Sequence, residues 1–139
     1  MRICPYISFN GNCAEAVAFY EKAFNVKAEM TRYKDAPPAE GYQSSEGTEN
    51  LVMHAQFELG GATVMLCDMP PDSPVKAGEN IAVMAEFDST DAAKAAFAAL
   101  KVDGNVSMNI QKTFWSECFG SLTDRFGINW NISIGCPTE

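Results

Sequence analysis

Basic residues are scarce. Ten Lys and Arg stand against eighteen Asp and Glu, giving a net charge of −8, and no stretch of the 139 residues gathers them into a basic stripe. Such a chain repels a phosphate backbone and an anionic bilayer, which argues against nucleic acid and a membrane surface as partners. Long apolar runs are missing too. No segment approaches the ~20 residues of a membrane span, and Met1 to Tyr6 lacks the apolar stretch of a secretory signal. Paired cysteine spacing is absent as well: Cys4, Cys13, Cys67, Cys118 and Cys136 are odd in number and contain no C-x-x-C. That argues against a disulfide scaffold or structural zinc and for free thiols in a reducing, cytoplasmic compartment. His54 is the single histidine, so any imidazole chemistry has one bearer.

What is present reads as a packed globular chain. Its composition is 47% apolar, 11% aromatic and 20% charged, and its length suits one domain or two half-size units sharing a core. Pro5 to Phe9 alternates as a half-buried strand. Asn10-Gly11-Asn12 turns, Asn12 with Glu15 forms a capping-box-like start, and Ala16, Phe19, Tyr20, Ala23 and Phe24 recur at helical spacing. Lys27 to Tyr33 predicts a second strand. Lys34 to Asn50, rich in Pro, Gly, Ser and Glu, predicts a lid-like loop. Val52 to Leu59 and Ala62 to Asp68 flank Gly60-Gly61 as a hairpin.

The order then starts again. After a Pro-rich linker come a strand (Ile81 to Phe87), a helix start at Ser89-Thr90-Asp91, an alanine-rich helix to Leu100, and strands at Val106 to Gln111, Phe114 to Leu122 and Ile128 to Ile134. A shift of 78 residues lays Phe9 on Phe87, Ala14 on Ala92, Ala18 on Ala96 and Phe19 on Phe97. The pattern predicts an α+β protein of two βαβββ modules, residues 1–68 and 80–139, joined by a linker at 69–79. Asp68 and Asp124 sit at turns, where carboxylates hold backbone amides.

Pro5-Tyr6-Ile7-Ser8-Phe9-Asn10-Gly11-Asn12, Phe19-Tyr20, His54-Ala55, Asp68, Thr113-Phe114-Trp115 and Leu122 to Trp130 together span most of the chain. On these residues it resembles the vicinal oxygen chelate superfamily of glyoxalase, bleomycin resistance and dioxygenase proteins, and within it the PhnB-like branch. Ser116 departs from the glycine or alanine usual there. That branch is often labelled 3-demethylubiquinone-9 3-methyltransferase. A nucleoside-type methyl donor wants a glycine-rich strand-to-helix turn, whereas Gly60-Gly61 lies in a hairpin.

The resemblance implies two concave sheets, each with one face under its helix and one toward a ligand. Strand parity sends Ile7, Phe9, Val83, Phe87, Trp130 and Ile132 to the helices. The opposite parity lines a pocket with Tyr6, Ser8, His54, Gln56, Met65, Cys67, Ala82, Met84, Glu86, Asn129 and Asn131, with Phe114 and Trp115 either stacking on a flat ligand or packing in the core. Metal-dependent relatives place His or Glu at four positions that fall here near Pro5 or Tyr6, near Met65, between Asn80 and Ala82, and at Asn131. The expectation is no metal and no cofactor. His54 is either a structural strand histidine or a catalytic acid/base assisted by Glu86 or Tyr6. Cys67 and Cys118 are inert buried thiols or nucleophiles. The reading is a homodimeric protein that binds a small organic molecule. Its alternative is a lyase-like, dioxygenase-like or metal-free acid/base enzyme acting on a small carbonyl or oxygenated substrate.

Overall fold

A computed structural model describes residues 1–36 and 47–135. Most of the expected lid-like loop, and Cys136, lie outside the described residues. The chain divides into two compact units, Met1–Lys76 and Ala77–Glu139.

The first unit runs β1 (Tyr6–Phe9), α1 (Cys13–Phe24), β2 (Glu29–Arg32), a short 3-10 turn at Tyr33–Asp35, β3 (Val52–Leu59) and β4 (Ala62–Asp68). Its sheet has the order β1-β4-β3-β2, with β1 parallel to β4 and the other neighbours antiparallel. Gly60 (φ 58°) and Gly61 (φ 82°) make the β3–β4 hairpin, both in the left-handed region that a primed turn requires. Helix α1 stops at Asn25, whose φ of 52° is left-handed.

The local capping box does not form. Asn12 makes no side-chain cap; instead Asp68, 55 residues away, accepts the Cys13 amide at 2.9 Å. The helix buries Cys13, Ala16, Val17, Tyr20 and Phe24. Tyr20 and Phe24 lie 6.3 and 6.2 Å from the Phe57 ring, and Phe9, Ala55, Val64 and Leu66 complete this core.

The second unit repeats the plan: β5 (Val83–Phe87), α2 (Thr90–Leu100), β6 (Asn105–Gln111), β7 (Phe119–Thr123) and β8 (Asn129–Ile134), in the sheet order β5-β8-β7-β6. As expected, Ser89 caps α2, its Oγ accepting the Ala92 amide at 3.2 Å. Ala93, Ala96, Phe97 and Leu100 face Leu122, Trp130 and Ile132 in the core. Small residues permit close helix–sheet approach here. A Cβ on Gly120 would sit 2.7 Å from Phe97 Cε2 and 3.0 Å from the Ile110 backbone.

Several expected strands are shorter than their sequence patterns: Lys27 to Tyr33 forms a strand only over Glu29–Arg32 and Ile81 to Phe87 only over Val83–Phe87, and the largest loss is at β7. β7 begins at Phe119, not at Phe114, because Thr113 to Cys118 closes on itself. The Thr113 amide donates to the Ser116 carbonyl at 2.9 Å, and Ser116 Oγ bonds the Cys118 carbonyl at 2.9 Å and Ser133 Oγ at 3.0 Å. The departure at Ser116 is therefore structural: its hydroxyl binds the turn to β8.

Candidate ligand-binding faces

Register decides which side chains share a face. Tyr6 sits opposite Met65, and Ser8 opposite Cys67; Gln56 sits opposite Met65, and Thr31 opposite His54. Hence Tyr6, Ser8, His54, Gln56, Met65 and Cys67 all lie on the sheet face away from α1, as parity predicts. Thr31 and Glu29 join them from β2. The sequence reading had missed both, although alternation along that short strand points to them.

This face carries a line of polar contacts. The Tyr6 hydroxyl lies 3.4 Å from His54 Nδ1, and His54 Nε2 lies 3.3 Å from Gln56 Oε1. One neutral tautomer satisfies both: Nε2–H donates to Gln56 and Nδ1 accepts from the phenol. Tyr6 is 54% exposed, so the line opens to solvent. Partial desolvation, then the neighbouring Cys67 and Cys13, hold the Tyr6 phenol above its ordinary range. It therefore remains a hydrogen-bond donor at neutral pH. Ser8 Oγ and Cys67 Sγ are 3.7 Å apart.

In the second unit, Met84 sits opposite Asn131 and Glu86 opposite Ser133. Asn131 also faces Ser121 across β7. Asn129 has the expected parity but a backbone role, because its Nδ2 donates to the Gly78 and Ile81 carbonyls at 2.7 and 2.9 Å. Its Oδ1 accepts from Thr123 Oγ1 at 2.9 Å.

Phe114 and Trp115 are not core residues. They border a cavity of about 720 Å³ with Phe87, Asp88, Glu117 and Ile134, at the end of the sheet where β5 and β8 finish. Asp88 and Glu117 had no motif to announce them.

The thiols split by burial. Burial, with Asp68 and Cys67 adding to it and Arg32 opposing, pushes the Cys13 thiol up to about 12. Burial likewise raises Cys118, against the pull of Lys94. Neither thiol is poised as a nucleophile. The Cys13 shift makes alkaline stability a measurable consequence. Below its ordinary value of 9.0 the thiol is neutral in folded and unfolded chains alike, and its contribution is fully present. Above that pH the unfolded chain releases a proton that the folded chain keeps, so the contribution is lost progressively until pH passes about 12. In denaturant titrations, wild type is expected to lose about 2 kcal/mol more than Cys13→Ala between about pH 9 and pH 10.5.

Of the four positions expected to hold metal in metal-dependent relatives, three fall in strands here, and the fourth, between Asn80 and Ala82, precedes β5. Tyr6 and Met65 are adjacent in one sheet, and Asn131 lies between Met84 and Ser121 in the other. Thioether, phenol and amide groups are poor donors for a divalent transition ion. Among the described residues, no three His, Cys, Asp or Glu side chains gather around a common point. The donor set does not fit the superfamily's usual ion.

Comparison with known proteins agrees with the fold. The chain is 26% identical over 141 residues to protein YjdN of Escherichia coli K12, covering 96% of this chain and 95% of that one. It is 33% identical to protein PA1353 of Pseudomonas aeruginosa, with a TM-score of 0.82 and coverage of 96% and 97%. A Bacillus cereus PhnB protein, named for a proposed 3-demethylubiquinone-9 3-methyltransferase activity, superposes with a TM-score of 0.70 at 24% identity, covering 97% of this chain and all of its own. The sequence model of the glyoxalase/bleomycin resistance protein/dioxygenase superfamily matches residues 2–132, and the chain belongs to that superfamily.

Proposed function

We propose that the protein binds a small, uncharged or moderately polar organic molecule on its open sheet faces, without the superfamily's usual metal. The observation that carries this reading is the Tyr6–His54–Gln56 line. Directional donors and acceptors stand there on an exposed face flanked by Met65, Ser8 and Cys67. Such a mixture of apolar surface and a few oriented polar groups is what a small-molecule site requires. In the second unit, Met84, Glu86 and Asn131 offer a similar mixture.

A thermal-shift screen of small aromatic and polar molecules is expected to yield saturable stabilisers, and His54→Ala to weaken the best of them about tenfold. Stoichiometric zinc, nickel, iron or manganese in protein purified without chelators overturns the metal-free reading. A metal-free enzyme using His54 as acid/base is the second reading, favoured by the Tyr6 hydroxyl beside Nδ1. It requires that His54→Ala abolish turnover of a small carbonyl compound while leaving thermal stability intact. The methyltransferase name of the PhnB protein is not carried over, because Gly60 and Gly61 serve the β3–β4 turn.

A second copy of the chain is the proposed partner. The edge strands β1, β2, β5 and β6 offer pairing surfaces that natural sheets cover. Sedimentation equilibrium is expected to return twice the chain mass, and a monomer mass at micromolar concentration overturns this. No helix among the described residues is long and apolar enough to cross a membrane.

A further inference from the structure

We infer that the cleft bordered by Phe114 and Trp115 is a binding site for an organic cation with an apolar body, such as a quaternary ammonium compound. The cavity measures about 720 Å³, within the range that small organic ligands occupy. Two rings define its character. Phe114 is 97% exposed and Trp115 46%, and they lock edge to face with centroids 4.7 Å apart at 86°. Trp115 repeats that geometry against Phe119, at 5.5 Å and 73°. A chain of edge-to-face contacts fixes the ring planes, so the π-faces are held in set directions. The closed Thr113–Cys118 turn supports them from below through Ser116.

Charge selects the ligand class. Asp88 and Glu117 line the cavity, and among the described residues no Lys, Arg or His does. Glu86 does not line the cavity, but its Oε2 is 3.9 Å from the point where a Cβ on the lining residue Gly135 would stand, which adds negative charge nearby. Lys112 Nζ lies 3.0 Å from Glu117 Oε2, but both side chains are 71% exposed. A pair so open to solvent is weak and yields readily to a competing cation. Ring faces and carboxylates both attract positive charge. An anion is repelled by the carboxylates, a neutral ring leaves them unused, and a bare divalent ion meets no group of three ligating side chains among the described residues. An alkylammonium or planar aromatic cation uses every feature. This site lies wholly within the second unit and does not depend on the reading of the His54 face.

The test uses benzyltrimethylammonium as probe and neopentylbenzene, its uncharged isostere, as control. Trp115 and Trp130 are the two tryptophans, so the indole N–H spectrum of labelled protein has two signals, and Trp115→Phe assigns them. The ammonium compound is expected to shift the Trp115 signal saturably and leave Trp130 in place. Phe114→Ala and Asp88→Asn, both at exposed positions, are each expected to weaken it about tenfold, as is removal of the probe's charge. Glu117→Gln should weaken it in the same direction. Equal binding of the uncharged isostere, an unmoved Trp115 signal, or full affinity in both Phe114→Ala and Asp88→Asn overturns the inference.

Discussion

Alanine at position 68 is expected to cost about 4 kcal/mol of folding stability, since hydrogen bonds to a charged group contribute roughly 1.5–3 kcal/mol each and buried donors left unpaired are penalised. Asp68 is buried and its carboxylate is fully engaged. Oδ1 accepts the amides of Gly11 and Cys13, both at 2.9 Å, and Oδ2 accepts that of Val52, also at 2.9 Å. One side chain therefore holds the turn after β1, the first turn of α1 and the start of β3. Cys13 and Val52 are fully buried, so no bulk water replaces the lost acceptor. Against a typical domain stability of about 5–15 kcal/mol this is a large fraction. Asp68→Asn keeps one acceptor oxygen but turns an N–H₂ toward a backbone donor, and it should fall between wild type and alanine. Urea midpoints for the three proteins check the order. A loss below about 1 kcal/mol for alanine shows that water or a shifted backbone satisfies the three amides instead.

The same residue shows where sequence reading stops. A local rule assigned the start of α1 to Asn12 and Glu15, three positions apart, because capping motifs are read within one turn. The acceptor in fact arrives from the end of β4, and only the fold brings it there. Strand parity, by contrast, is a property of each short segment. It placed Phe9, Trp130 and Ile132 in the core and His54 with Gln56 on the open face before any packing was known. Gly60-Gly61 was legible for the same reason, since the turn depends on those two residues alone.

At the candidate sites, legibility follows the same division. Six residues of the first unit's open face were found because alternation and pairing determine facing, whereas Glu29 and Thr31 on short β2 were not. Asn129 has the right facing, yet its amide bonds the Gly78 and Ile81 carbonyls, a choice set by where the chain enters β5. Phe114 and Trp115 look like the start of a strand in an apolar alternation. The Thr113–Ser116 closure removes them from it and leaves both rings exposed. Asp88 and Glu117 lie 29 positions apart, and nothing in their spacing foretold a shared cavity.

Asp124 is the second unit's counterpart in chemistry, and its loss is expected to be comparably severe, about 4 kcal/mol for alanine by the same reckoning of charged hydrogen bonds. Its Oδ1 accepts the Phe126 and Ile128 amides at 2.8 and 3.0 Å. Its Oδ2 accepts Trp130 Nε1 at 2.9 Å, deep in a core where Trp130 has no solvent exposure. The turn and the largest core side chain are thus tied to one carboxylate. Trp130→Phe removes the indole N–H together with part of the ring, at a cost of about 2 kcal/mol from lost packing. The two changes should not add. In Asp124→Ala the buried indole N–H loses its acceptor, whereas in the double variant that donor is gone, so the double variant should be about 1 kcal/mol more stable than the sum predicts. Strict additivity in a double-mutant cycle would mean that the indole N–H finds another acceptor when Asp124 is removed. Near-ultraviolet circular dichroism gives an independent readout: the Trp130 signal should weaken in Asp124→Ala well below its melting transition, because the ring loses the bond that fixes its orientation.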